Sequence, residues 1–96
     1  MSVLLTLRIP SAQSLKDKRA VVRSLVERLR KRLDLSAAEV GLHDDPRQAE
    51  IGFATVSATP SMAHQIARRA LRFVEQELIG RAEIVDTMIE ERVLRG

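Results

Sequence analysis

The chain has 96 residues, 45% of them apolar and 30% charged, with no cysteine, tryptophan or tyrosine. That length supports one domain and excludes two self-sufficient cores. The missing cysteines exclude disulfides, thiolate zinc sites and cysteine nucleophiles. Lysine and arginine total 16 against 13 acidic residues, a formal charge of +3 in a composition typical of soluble globules.

Val3, Leu5, Leu7 and Ile9 alternate with Leu4, Thr6 and Arg8, which predicts a strand ending at Pro10. Ser14-Leu15-Lys16-Asp17 has capping-box spacing and opens a helix that runs to about Leu33, where Asp34 breaks it. Val22, Leu25, Val26, Leu29 and Leu33 form its apolar stripe. A second strand is expected over Ser36–His43, with Ala38, Val40 and Leu42 on one face, and a third over Gln48–Ala58. The turn chemistry of Asp44-Asp45-Pro46-Arg47 makes the pair an antiparallel hairpin. Thr59 and Pro60 suit a helix N-cap and first position, and Ala63, Ile66, Ala67, Ala70, Val74 and Leu78 give the second helix its stripe, up to Gly80. Ala82–Glu91 closes the chain as a strand in which Ile84, Val85, Met88 and Ile89 choose no single face.

The order βαββαβ with right-handed crossovers predicts a ferredoxin-like α+β sandwich over residues 1–96, four antiparallel strands with both helices on one face. The other sheet face is left open, exposing either Leu4 and Thr6 or Ile51 and Phe53. No apolar run nears the ~20 residues that cross a bilayer. Met1 to Leu5 lacks a basic n-region and a cleavage site, so neither a signal peptide nor a membrane partner is expected, and a cytoplasmic location fits.

RNA-recognition motifs share this topology and carry a signature octamer on the third strand, where this chain reads Ile51-Gly52-Phe53-Ala54-Thr55-Val56-Ser57-Ala58. It has the Gly-Phe-Ala and the Val but no leading cation, and only Phe53 could stack a base, so Phe53 is expected to pack in a core or an interface. The glycines make no Gly-x-x-Gly clamp and no phosphate loop. His43, Asp44, Asp45 and His64 lack the spacing of a metal site, and Ser57, Ser61 and His64 lack an orienting acid, so no cofactor, metal or catalytic residue is expected. Lys18 is the residue to inspect as a reactive group, since a pocket enclosing it would reopen an enzymatic reading.

Charge is the strongest feature. Residues 15–32 hold eight cations against Asp17 and Glu27, whereas the segment from Glu75 onward is mildly acidic. Lys16, Arg19, Arg23 and Arg30 recur on one helix face, and Arg68, Arg69 and Arg72 on the second helix would extend that surface if the helices lie side by side. Such cations position phosphates without reading bases.

Ser14-Leu15-Lys16-Asp17-Lys18-Arg19, followed by Val21-Val22-Arg23-Ser24-Leu25 and Arg28-Leu29-Arg30, resembles the start of the small bacterial YlxP-like family. The likeness continues through Ala49, Gly52 and Val56-Ser57 and spans Met1 to about Leu94. Asp44-Asp45-Pro46 departs from it, where many members carry an aspartate, an aliphatic residue and a tryptophan. The resemblance implies a ferredoxin-like fold and brings no assigned activity. Members are often encoded beside translation-initiation and ribosome-maturation genes, which implies ribosomal RNA or the small ribosomal subunit as a partner. The expectation is a non-enzymatic, RNA- or ribosome-associated protein that binds phosphates through Lys16, Lys18, Arg19, Arg23 and Arg30, with Arg92 and Arg95 contributing little. The alternative is a homodimer or higher oligomer, a scaffolding module pairing through the open sheet face without nucleic acid.

Overall fold

A computed structural model describes residues 1–92, with β1 (Ser2–Arg8), α1 (Leu15–Leu33), β2 (Ser36–Gly41), β3 (Gln48–Ala54), α2 (Pro60–Glu77) and β4 (Glu83–Glu90). The strands form one antiparallel sheet in the order β2-β3-β1-β4. With two crossover helices, this is the ferredoxin-like α+β fold that the chain order predicts.

Strand periodicity sorts the sheet faces. Val3, Leu5 and Leu7 of β1 and Ala49, Ile51 and Phe53 of β3 are buried against the helices, with Ile9 just beyond β1. Leu4 and Thr6 therefore lie on the open face, and Phe53 packs in the core. β2 keeps Ala38 and Val40 on one face, as expected, and that face is the open one. Ala37 is buried, whereas Val40 is largely exposed. β2 and β3 also stop early, at Gly41 and Ala54, short of the expected His43 and Ala58.

The helix boundaries follow their capping chemistry. The Ser14 hydroxyl accepts from the Asp17 amide at 3.1 Å, and the Asp17 carboxylate accepts from the Gln13 amide at 3.0 Å. Asp34 ends α1 in the left-handed conformation, φ 54°. Thr59 caps α2 by accepting from the Met62 amide at 3.2 Å, with Pro60 behind it. That helix ends at Leu78, and Gly80 makes the following turn at φ 75°, where a side chain would be strained.

α1 and α2 bury Val22, Leu25, Val26 and Leu29, and Ala63, Ala67, Ala70 and Val74, respectively. An Arg28–Glu77 ion pair ties the two helices together. β4 is an edge strand with a register shift opposite Thr6 and Leu7, and only Ile84 on it is even half-buried. That irregularity is why its sequence favours neither face.

Candidate nucleic-acid interface

The Ser14–Arg19 block separates into residues that build the helix and residues that face outward. Ser14 and Asp17 are spent on the helix start. Lys18, expected to bind phosphates together with the exposed cations, is fully buried. Its phase explains the correction: Lys18 precedes Val22 by one helical turn and Leu25 by two, so it belongs to the apolar stripe. Its ammonium donates to Glu39 Oε2 at 3.0 Å and to the carbonyl oxygens of Leu42, His43 and Gln48 at 2.9, 3.2 and 3.2 Å. A buried charge is tolerated only when paired and hydrogen-bonded, and this one is saturated. The cage pins the β2–β3 connection to α1, while the Ile9 amide donating to Arg47 O at 2.7 Å holds the connection to β1. Leu42 sits at φ 55°, unusual for a branched apolar residue, and both Lys18 and the Asp45 amide donate to its carbonyl. Lys18 is fully buried and enclosed by its own acceptors.

Lys16, Arg19 and Arg23 are exposed, and among the described residues none of them takes part in an ion pair or a side-chain hydrogen bond. They climb one flank of α1 with axial steps of about 4.5 and 6 Å. Arg30 continues that flank, and its Nε donates to the Ala37 carbonyl at 2.8 Å. Arg19, Arg23 and Arg30 thus border a shallow groove between α1 and the edge strand β2, lined also by Val22 and Val26 of the helix and by Ala38 and the Lys18 partner Glu39 of the strand. This flank points away from α2, because Arg28, which meets Glu77 of α2, projects from the opposite side of α1. The cations of the two helices therefore form separate rows, not the merged surface that side-by-side packing suggested. Arg68, Arg69 and Arg72 remain exposed on the outer side of α2.

Arg30 also blunts an edge. Its bond to Ala37 O and the His43 ring on Glu39 O, at 3.3 Å, occupy two carbonyls on the free side of β2. Capped carbonyls and cations discourage strand addition there. Sequence periodicity had no means of signalling this use of Arg30 and His43.

The remaining candidates lie apart. Asp45 Oδ1 accepts from the Arg47 and Gln48 amides, the work of a turn residue. His64 pairs with Glu91 at 2.9 Å, and the Ser57 hydroxyl donates to the Thr59 carbonyl. The described residues hold no group of three or more His, Asp or Glu placed to share a metal ion. Arg92 lies beside Glu90 at 3.4 Å, and Arg95 falls outside the described residues.

The exposed charges divide by face. The two helices expose nine cations against three acids, Asp17, Glu27 and Glu75. The open sheet face instead carries Glu50, Glu83, Asp86 and Glu90 against Arg8, which is paired with Glu83 at 3.0 Å. A polyanion is attracted to the helical side and repelled by the sheet. No helix among the described residues is long and apolar enough to cross a membrane.

Comparison with known sequences places the chain beside proteins whose role is open. A family profile described as "Protein of unknown function (DUF503)" matches residues 1–89. The uncharacterized protein YlxP of Bacillus subtilis (strain 168) is 31% identical over 67 residues, which cover 70% of this chain and 73% of that protein.

Proposed function

We propose that this chain, which belongs to the DUF503 family of YlxP-like proteins, is a non-enzymatic RNA-associated protein that grips phosphates along one flank of α1. The observation that carries the reading is the row of Lys16, Arg19 and Arg23, exposed and without acidic partners among the described residues. Arg30 extends the row with the guanidinium nitrogens not committed to Ala37. Lys18 takes no part, since its ammonium is spent inside the fold. The acidic sheet face supports an approach from the helical side, and the burial of Phe53 leaves the sheet without an aromatic platform. Contacts of this kind follow backbone geometry and not base identity. The family's genomic setting makes the small ribosomal subunit the first RNA partner to test.

The experiment is co-sedimentation with purified small subunits, alongside binding to a single-stranded RNA oligonucleotide, across a salt series. Three to four phosphate contacts give a log–log salt slope of about −2 to −3, an affinity loss of about 20- to 50-fold between 50 and 200 mM salt. Absence of binding at low salt, where counterion release favours it most, refutes the reading.

A further inference from the structure

The open sheet face is ordered into rows that run across the strands. Its central row, fixed by strand register, is Ala38, Gly52, Leu4 and Met88, apolar from one edge of the sheet to the other. On one side lies the row of Gly41, Glu50, Thr6 and Asp86, and on the other Ser36, Ala54, Ser2 and Glu90. An apolar strip is thus bordered by Glu50 and Asp86 along one side and by Glu90 along the other. Among the described residues Glu50 and Asp86 make no ion pair, and Glu90 meets only Arg92, at 3.4 Å with both side chains mostly exposed.

The strip is concave. It lies in an open depression of about 500 Å³ that touches all four strands. Gly52 forms part of the floor: a Cβ there would come within 3.3 Å of Val40 Cγ1, so the absence of a side chain keeps the floor low. Ala38 and Ala54 are also small, and Met88, 60% exposed, stands at the rim. Four strands spaced about 4.8 Å apart make a strip roughly 15–19 Å long. That is the length of an α-helix of about 10–12 residues, and three rows about 6.8 Å apart span roughly 13 Å, room for a helix about 10–12 Å across.

We infer that this face docks a cationic amphipathic helix of a partner protein, laid across the strands. Its apolar stripe would fill the Ala38–Gly52–Leu4–Met88 row and its lysines or arginines would meet Glu50, Asp86 and Glu90. Charge selects this occupant. RNA is repelled by the same carboxylates. A second copy stacked on this face would bring a matching set of carboxylates against the first, which like-charge repulsion opposes. The inference does not rest on phosphate binding, because its apolar row and its carboxylates lie on the sheet face opposite to α1, and only Ala38, on the edge strand, lines both surfaces.

The test uses the full chain and a fluorescein-labelled 18-residue peptide of leucine and lysine in amphipathic helical order, read by fluorescence anisotropy. A leucine–glutamate peptide of the same pattern is the control. The leucine–lysine peptide is expected to bind, and the glutamate peptide to bind at least tenfold more weakly. Ala38→Lys and Met88→Lys should each weaken the lysine peptide tenfold or more, and Glu50→Lys/Asp86→Lys should do the same. Arg19→Glu/Arg23→Glu should leave it within twofold while reducing RNA binding, so that the two surfaces fail or succeed separately. Far-UV circular dichroism and thermal melts check that each variant is folded. Absence of peptide binding, equal binding of both peptides, or binding untouched by the sheet-face variants overturns the inference. So does a concentration-dependent dimer in light scattering that Ala38→Lys dissolves, which would make the occupant a second copy.

Discussion

Replacing Lys18 by methionine keeps the length and apolar stem of the side chain and deletes the ammonium. Four oxygens at 2.9–3.2 Å then lose the ammonium, Glu39 Oε2 and the carbonyls of Leu42, His43 and Gln48, with the Leu42 carbonyl keeping the Asp45 amide. Removing one partner of a buried ion pair costs about 3–5 kcal/mol. The Glu39 side chain is 18% exposed, which lets water hydrate part of its charge and places the loss at the lower end, about 3 kcal/mol. Native stabilities of only about 5–15 kcal/mol make that a large fraction. For a domain of this size the same loss lowers Tm by at least about 12 °C. The chain has no tryptophan or tyrosine, so the assay is urea unfolding followed by circular dichroism at 222 nm, with Glu39→Gln and the double variant completing a cycle. The pair should couple by about 1–3 kcal/mol. A loss below about 1 kcal/mol for Lys18→Met, the amount typical of an exposed charge, would refute the cage.

Other substitutions test separate parts of the fold. Asp34→Gly should raise stability by about 0.5–1 kcal/mol in urea melts, because it relieves a left-handed C-cap and removes an acid from the negative end of α1. Thr59→Ala should cost about 1 kcal/mol, since the Met62 amide loses its acceptor. Phe53→Ala should cost about 3–5 kcal/mol through the cavity left in the core. At a temperature where that variant is folded, its RNA affinity should be unchanged, whereas loss of binding would mean that Phe53 meets the nucleic acid.

The fold was legible where local chemistry and periodicity agree. The caps at Ser14 and Thr59 and the alternation of Val3 to Ile9 locate both helices and the central strand without tertiary information. The phase of β2 was not legible. Ala37, Ala38 and Val40 are all small or apolar, and Glu39, which suggests a solvent face, in fact turns inward to meet Lys18. A reading of charged residues as exposed therefore inverts the strand. The same rule misplaces Lys18, although its position in the stripe of Val22, Leu25 and Leu29 already marks it as inward-facing. Edge strand β4 gave a mixed pattern because its register shift breaks the alternation and little covers it on either side. Of the five cations expected to bind phosphate, Lys16, Arg19 and Arg23 project freely, Arg30 is shared with the edge of β2, and Lys18 belongs to the core.

Phosphate contact along α1 is tested most directly by the salt dependence of RNA binding in the Arg19→Glu/Arg23→Glu variant. Exposed charges contribute only about 0–1 kcal/mol each to stability, so its thermal melt should stay near that of the unaltered chain. Its log–log salt slope should be shallower by about 1.4, two contacts at about 0.7 each on a single strand, with affinity lower at every salt concentration. Lys31→Glu/Arg32→Glu, an equal change of charge placed off the row at the end of the same helix, should leave most of the slope intact. Equal losses from the two variants would contradict the account, because binding would then follow total charge and not the row formed by Lys16, Arg19 and Arg23.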